Sequence, residues 1–152
     1  MAEATLFQKI LSGEIPGNFV GRGENWAAFL DVFPRAKGHT LVVPVNPVQR
    51  IAELSKSDLA DLFDGVKQVQ STLSGYFETK DFTVVVHDGP MAGQEIPHVH
   101  VHVIPRAEGD GGQALPAMFP AANPANPPDY QGLDACVSDK HMTLPWTRTV
   151  CT

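Results

Sequence analysis

Five short segments are rich in apolar, β-branched and aromatic residues, and the last of them alternates these with polar residues, which predicts five β-strands. Turns that contain glycine, proline or asparagine separate most of these segments. Because the first three segments are joined by short connections, we expect them to pair in an antiparallel meander. The predicted strands span residues 18–22, 26–32, 39–44, 82–86 and 98–104.

Two further segments carry apolar residues at the three- and four-residue spacing of a helix. A short helix is predicted over residues 5–12, with Gly13 as a natural stop. A long helix is predicted from Ser55, whose side chain would cap the first turn together with Asp58. Its apolar stripe is typical of a helix that packs on a sheet: Leu59, Leu62, Phe63, Val66, Val69, Leu73 and Tyr76. The sequence therefore predicts an α+β fold: a five-stranded antiparallel sheet with one long and one short helix.

The last part of the chain is rich in proline and lacks both periodicities. Proline is excluded from helix interiors and central strands, so this segment is predicted to be an irregular tail. At 152 residues the chain has the length of one domain. We place that domain at residues 1–110 and the tail at residues 111–152, packed on the domain or across a dimer, with Met142 and Trp146 as anchors.

Charge and cysteine content narrow the classes of partner. The chain has 11 Lys and Arg against 17 Asp and Glu, a formal net charge of −6. Attraction to nucleic acid or to an anionic membrane is therefore not expected, and a phosphate group would have to be bound by a local pocket. The N-terminal segment is too short and polar for a signal peptide or a membrane span, so a cytoplasmic protein is expected. Cys136 and Cys151 are expected to be free thiols, with one disulfide as the alternative.

The fifth predicted strand alternates histidine with valine. His98, His100 and His102 would leave one face, and the three intervening valines would enter a core from the other. Crowded imidazoles repel each other when protonated and need hydrogen-bond partners when neutral. The residues alone leave three interpretations open: a solvated polar face, a metal site or a phosphate site.

A turn-rich loop over residues 87–97 precedes these histidines and offers backbone amides to an anionic oxygen. Loop and strand together read H-D-G-x-x-A-G-Q-x-x-x-H-V-H-V-H-V-I-P-R. This pattern resembles the signature of the histidine triad superfamily of nucleotidyl hydrolases and transferases. The resemblance covers residues 5–110.

The resemblance implies roles for the histidines and for one carboxylate. His100 corresponds to the nucleophile that forms a nucleotidyl-histidine intermediate, and neutral imidazole has the lone pair for that attack. His98 and His102 would steady oxygens of the substrate, and His39 would orient its neighbours. Asp31 would bind the ribose hydroxyls. On the residues alone, His39 also fits a buried strand histidine and Asp31 a turn cap.

The remaining candidates surround these groups. Glu95 stands where one branch of the superfamily has a hydroxyl residue that helps to protonate the leaving group, so its carboxyl or its backbone N–H is a candidate. His87 stands where many members have Asn or Gln. Gly93 and Gln94 of the loop are further nucleotide-binding candidates. The positions that line the base pocket are Ile15, Phe29, Leu30 and Val32, for which ordinary core is the alternative.

No metal or other cofactor is expected. Some superfamily members hold structural zinc through an N-terminal Cys-x-x-Cys and two histidines, but the matching positions here are Thr5, Gln8 and a position near Pro47, which are poor zinc ligands. A zinc site built from the three histidines alone stays open as an alternative, with Asp88 and Glu95 nearby.

The resemblance implies a homodimeric enzyme that hydrolyses purine nucleotides. Residues 13–16 and 31–34 are similar to the nucleotide-binding branch, which points to an adenosine phosphoramidase acting on AMP derivatives. Residues 88–94 are similar to the fragile histidine triad branch, which favours a dinucleoside polyphosphate hydrolase as the alternative. A second alternative is a nucleotide-binding or scaffold protein with little turnover.

Overall fold

The computed structural model describes residues 3–120. Five strands form one antiparallel sheet in the order β1-β2-β3-β5-β4, so the predicted fold class is confirmed. The elements are α1 (Leu6–Leu11), β1 (Phe19–Arg22), β2 (Trp26–Leu30), β3 (Thr40–Pro44), α2 (Lys56–Phe77), β4 (Phe82–Val85) and β5 (Val101–Pro105), with 3₁₀ turns at Ile51–Glu53, Pro90–Ala92 and Leu115–Met118.

The chain divides into two compact units after Gly112. The first contains the whole sheet and both α-helices, and the described part of the second contains only the turn at Leu115–Met118. Met142, Trp146, Cys136 and Cys151 lie outside the described residues, so the predictions about the tail and the thiols stay predictions. Within residues 3–120, no helix is both long and apolar enough to cross a membrane.

The two faces of the sheet carry different layers. On one face, α2 packs against Trp26, Ala28, Val42 and the three valines that alternate with the histidines. Val99, Val101 and Val103 are at most 1% exposed there. On the other face, α1 covers a second cluster that contains Phe7, Ile10, Ala27, Phe29, Leu41 and Val43. The valines thus bind the strand to the α2 core, which leaves the imidazoles on the α1 face.

Helix α2 begins as predicted, because the Ser55 side chain accepts a hydrogen bond from the Asp58 backbone N–H. Its buried stripe is narrower than the predicted one and consists of Leu62, Gly65, Val66, Val69 and Leu73. The predicted members at the margins are largely outside the core: Leu59, Phe63 and Tyr76 are 37%, 43% and 81% exposed. The sheet therefore covers only the centre of the predicted stripe, and the side chains at the margins of the stripe stay exposed to solvent.

Strand β5 begins at Val101, three residues later than predicted. The preceding residues are held outside the ladder: the His98 backbone N–H donates to Ile96, and the Val99 N–H donates to the Val48 carbonyl at 2.8 Å. His98 and His100 therefore lie on an extended lead-in that the chain around Val48 supports, and only His102 belongs to the paired strand.

Candidate active site

A cleft of about 380 Å³ opens on the α1 face of the sheet. Side chains from α1, the end of β2, the chain that precedes β3, the loop before β5 and β5 itself form its walls. Most of the wall is apolar, and the polar lining residues are Asp31, Arg35, His39, His87, Glu95, His100 and His102. The pattern of an apolar cleft with a few convergent polar groups is typical of a small-molecule site.

His100 has the protonation state of a nucleophile. Its Nδ1 lies 2.8 Å from the backbone carbonyl of His98, and because a carbonyl only accepts, Nδ1 carries the proton. The lone pair is therefore on Nε2. Burial is the main reason that the pKa of His100 lies below its ordinary value. The imidazole is thus neutral near pH 7, with an unprotonated nitrogen in a ring that lines the cleft.

His39 and His102 form a chain of hydrogen bonds with a defined direction. The backbone N–H of Arg35 donates to His39 Nδ1 at 3.0 Å, so the proton of a neutral His39 is on Nε2. This Nε2–H then donates to His102 Nδ1 at 2.9 Å. His102 in turn carries its proton on Nε2, which is buried and has no hydrogen-bond partner among the described residues.

The unpartnered N–H of His102 indicates where a ligand oxygen belongs. Leaving such a buried donor unpaired costs about 1–3 kcal/mol. A ligand oxygen that accepts this hydrogen bond would remove that cost. Burial, followed by the neighbouring His100 and His39, lowers the pKa of His102 to about 4. His102 is therefore a neutral donor at pH 7, as expected of a residue that steadies an oxygen.

His98 differs from the sequence-based expectation that it steadies a substrate oxygen. Its side chain is fully buried, and its Nε2–H donates to the Pro44 carbonyl at 2.8 Å. Its Nδ1 lies 2.9 Å from Thr5 Oγ1. Both ring nitrogens are used inside the protein, so His98 acts on the cleft only through the carbonyl that it offers to His100.

Asp31 caps a turn and also lines the cleft. One carboxylate oxygen, Oδ1, accepts the Phe33 backbone N–H at 2.9 Å and closes the turn after β2. The other, Oδ2, lies 3.5 Å from His39 Nε2, and the residue lines the cleft. The turn thus holds the carboxylate beside the histidines.

The apolar candidates divide into two groups. Phe29, Leu30 and Val32 line the cleft, and the last two stand at its mouth with 37% and 75% exposure. Ile15 does not line it and instead packs against the cluster around Phe7, which corrects the expectation that it belongs to the base pocket. Its position follows from the turn after α1, where the Ile15 N–H bonds back to the Lys9 carbonyl.

The loop before β5 places three of its four candidates on the cleft. His87, Gly93 and Glu95 line it, and His87 is fixed by a 2.6 Å hydrogen bond from Nδ1–H to the Ala92 carbonyl. The expectation that Gln94 binds the nucleotide is wrong, because its side chain is buried away from the cleft and donates to the Gln49 carbonyl at 2.8 Å. Gln94 therefore fixes the loop to the chain at Gln49.

The three triad histidines do not converge as a metal site, because His98 has no free nitrogen. Within residues 3–120, the His, Cys, Asp and Glu side chains that come together are Asp31, His39 and His102, with ligand atoms within 4.8 Å of one another. In that group, His39 Nε2 and His102 Nδ1 are already bonded to each other. The alternative of zinc on the triad thus loses one of its ligands.

Sequence reasoning missed the contribution of α1. Leu6, Phe7 and Ile10 line the cleft, and the Phe7 ring packs edge-on against His98 and His100, with centroids 5.6 and 4.9 Å apart. The spacing of Thr5 and Gln8 as a capping box was the available signal. It predicts where the helix starts but not what the helix covers.

The sequence of this chain is similar to those of several known proteins. The HIT domain family matches residues 12–109. Adenosine 5'-monophosphoramidase hnt1 of Schizosaccharomyces pombe is 32% identical over 135 residues, which cover 89% of this chain and 96% of that protein. The asymmetrical bis(5'-nucleosyl)-tetraphosphatase of the same organism is 43% identical over 84 residues, 55% of this chain but only 46% of that enzyme.

A solved structure agrees with the fold. The crystal structure of a HIT family protein from Bacillus anthracis superposes with a TM-score of 0.76 at 31% identity, and the match covers 91% of this chain and 95% of that one. The relationship therefore extends over nearly the whole of both proteins.

Proposed function

Because this chain belongs to the HIT family, we propose that it is a nucleotidyl hydrolase that works through a covalent intermediate on His100. The observation that carries the proposal is the pairing of two neutral imidazoles. His100 offers an Nε2 lone pair in a ring that lines the cleft. His102 offers an Nε2–H that has no partner among the described residues, with 5.0 Å between the two ring centroids. One group attacks phosphorus while the other donates to an oxygen that gains charge.

In the proposed reaction, the Nε2 lone pair of His100 forms a bond to the α-phosphorus, and the bond from phosphorus to the leaving group breaks with its electron pair. Glu95, on the cleft wall, would supply the proton to the leaving atom through its carboxyl group. A water molecule then attacks phosphorus and gives a proton to the Glu95 carboxylate, and the electron pair of the P–N bond returns to His100. The His102 N–H donates to a phosphoryl oxygen in both steps.

We propose AMP joined to an amine as the substrate class, which makes the protein an adenosine phosphoramidase. The full-length match to hnt1 supports this choice, whereas the tetraphosphatase shares less than half of its length with this chain. In this proposal Asp31 binds the ribose hydroxyls, and Phe29, Leu30 and Val32 contact the purine. Hydrolysis of dinucleoside polyphosphates is the second candidate, since Arg35 adds a guanidinium to the cleft wall that fits further phosphates.

The homodimer and the cytoplasmic location are part of the same proposal. Among the described residues, strand β4 is an edge of the sheet, and Val84 on it is 40% exposed beside Phe63 of α2, which is 43% exposed. A sheet edge next to exposed apolar side chains favours association with a second copy. Light scattering after size-exclusion chromatography tests the dimer, and cell fractionation tests the location.

Steady-state kinetics in the presence of a chelator test the enzyme assignment. The substrates are adenosine 5'-phosphoramidate and diadenosine tetraphosphate, the variant is His100→Ala, and Ser71→Ala on the exposed side of α2 is the control. We expect His100→Ala to lose about three orders of magnitude in kcat, with the control unchanged. The faster substrate identifies the class. A native protein that binds AMP but turns over neither compound is instead a nucleotide-binding protein.

A further inference from the structure

Thr5, the residue before α1, makes a hydrogen bond to the triad that no cleft-lining role explains. Its Oγ1 lies 2.9 Å from His98 Nδ1, although the two residues are 93 positions apart and Thr5 itself does not line the cleft. The same oxygen accepts the backbone N–H of Gln8 at 3.1 Å. The start of a six-residue helix is thus hydrogen-bonded to the first histidine of the triad.

The direction of this bond follows from the partners of His98. The Pro44 carbonyl accepts from Nε2, so a neutral His98 has its lone pair on Nδ1, and the Thr5 hydroxyl must donate to it. If the proton moved to Nδ1, Nε2 would present a lone pair to the Pro44 carbonyl, which is repulsive. The Pro44 carbonyl therefore selects the tautomer of His98, and the Thr5 hydroxyl, which donates to the remaining lone pair, fixes the orientation of the ring.

The backbone carbonyl of His98 orients the ring of His100. The His98 carbonyl accepts the Nδ1–H of His100, which leaves Nε2 unprotonated. Phe7, two residues after Thr5, packs edge-on against both imidazoles. The carbonyl and the phenyl ring thus hold His100 on two sides, and the phenyl ring belongs to α1, which the Thr5 hydroxyl joins to His98.

We propose that Thr5 is a positioning residue, whose hydroxyl locks His98 and thereby aligns the His100 nucleophile. The catalytic consequence rests on the proposed function, whereas the tautomer of His98 does not. Serine satisfies the requirement as well as threonine, and valine, which has the same shape without the hydroxyl, does not.

Three variants separate positioning from helix stability. Thr5→Val removes the hydroxyl, and Thr5→Ser restores it. Gln8→Met is the matched control, because the Gln8 side chain accepts the Thr5 N–H at 2.8 Å and completes the cap without touching His98. Methionine removes that half of the cap and leaves the bond between Thr5 and His98.

The first readout is the tautomeric state of the imidazoles, measured by long-range ¹H–¹⁵N NMR on the full chain. We expect His98 to be protonated on Nε2 and His100 on Nδ1 in the native protein and in all three variants, because the Pro44 and His98 carbonyls are retained. In Thr5→Val alone, the ¹⁵N shift of His98 Nδ1 should move toward that of a nitrogen without a hydrogen bond. A native His98 protonated on Nδ1 overturns the proposal without any variant.

The second readout is the split between kcat and KM. A displacement of the nucleophile by a fraction of an ångström costs about 10- to 100-fold in kcat, so we expect this loss in Thr5→Val with KM changed less than about threefold. Equal losses in Thr5→Val and Gln8→Met would assign Thr5 to helix stability and overturn positioning. If the native protein turns over no substrate, the proposed function fails, while the NMR result still decides the role of Thr5.

Discussion

The chemistry of the four clustered histidines is set by what each ring nitrogen touches. A backbone N–H fixes the acceptor nitrogen of His39, a backbone carbonyl fixes the donor nitrogen of His100, and His102 takes its tautomer from His39. Backbone groups cannot change their role, so they impose direction on groups that can. The result is one lone pair and one N–H at the cleft from side chains of identical composition.

Asp31 is the residue at which ribose recognition can be tested without loss of structure. We expect Asp31→Asn to raise KM for an AMP-derived substrate by about tenfold or more, because a carboxylate is a stronger acceptor for hydroxyl groups than an amide. The amide oxygen would still accept the Phe33 N–H, so the turn is retained and kcat should change less than about threefold.

A substrate with a 2',3'-dideoxyribose serves as the control for Asp31→Asn. The KM of the native protein for the dideoxyribose substrate should be as high as the KM of Asp31→Asn for the ribose substrate. The KM of Asp31→Asn should not rise further when the hydroxyl groups are removed. If Asp31→Asn lowers kcat and leaves KM unchanged for both substrates, the carboxylate acts on His39, 3.5 Å away, and not on the ribose.

Helix α2 can approach the sheet closely because it has glycine where it crosses Trp26. A Cβ on Gly65 would lie 2.5 Å from Trp26 Cδ2, whereas a Cβ on Gly75 of the same helix meets nothing within 4 Å. We expect Gly65→Ala to lower the free energy of unfolding by about 1–3 kcal/mol through overpacking. Gly75→Ala, the matched control, should raise it by about 0.5–1 kcal/mol. Urea denaturation measures both, and stabilisation by both variants would refute the tight contact.

The elements that the sequence predicts well are those with a strong periodicity. The valine and histidine alternation assigns the two faces of the strand correctly, and the apolar spacing gives α2 with its cap. Local patterns do not show which distant backbone group a side chain will meet. Gln94 bonds to the Gln49 carbonyl and Thr5 bonds to His98, in both cases across long stretches of chain. The sequence pattern therefore could not predict that Gln94 is buried or that Thr5 contacts the triad.

At the scale of the whole molecule, one sheet separates a dry core from the site. Strand β5 contributes valines to the α2 side and imidazoles to the α1 side, so its packing and its chemistry depend on the same residues. The valines hold the strand in register with β3, where Leu41 pairs with His102. The site therefore has the rigidity of the core, although its polar groups are expensive to bury.

Burial of neutral histidines makes the stability of the whole fold dependent on pH. Burial lowers the pKa of His39, His98, His100 and His102 below the ordinary value of 6.5, so below pH 6.5 the unfolded chain binds protons that the folded chain refuses. The free energy of unfolding is thus fully retained above about pH 6.5 and falls as the pH falls toward 4, where His102 begins to titrate in the folded state. Asp110, paired with Arg106, has its pKa lowered well below its usual range, so its loss of stabilisation comes at lower pH.

Urea denaturation at a series of pH values between 4 and 8 measures this dependence. We expect a flat region above pH 6.5 and a decline below it, and a shallower decline for His102→Gln, since the glutamine side chain does not titrate. The same slope in native protein and variant would mean that His102 binds its proton at the same pH in the folded and the unfolded chain. That result would contradict the buried, neutral His102, because an imidazolium formed near pH 6.5 could not accept the hydrogen bond from His39.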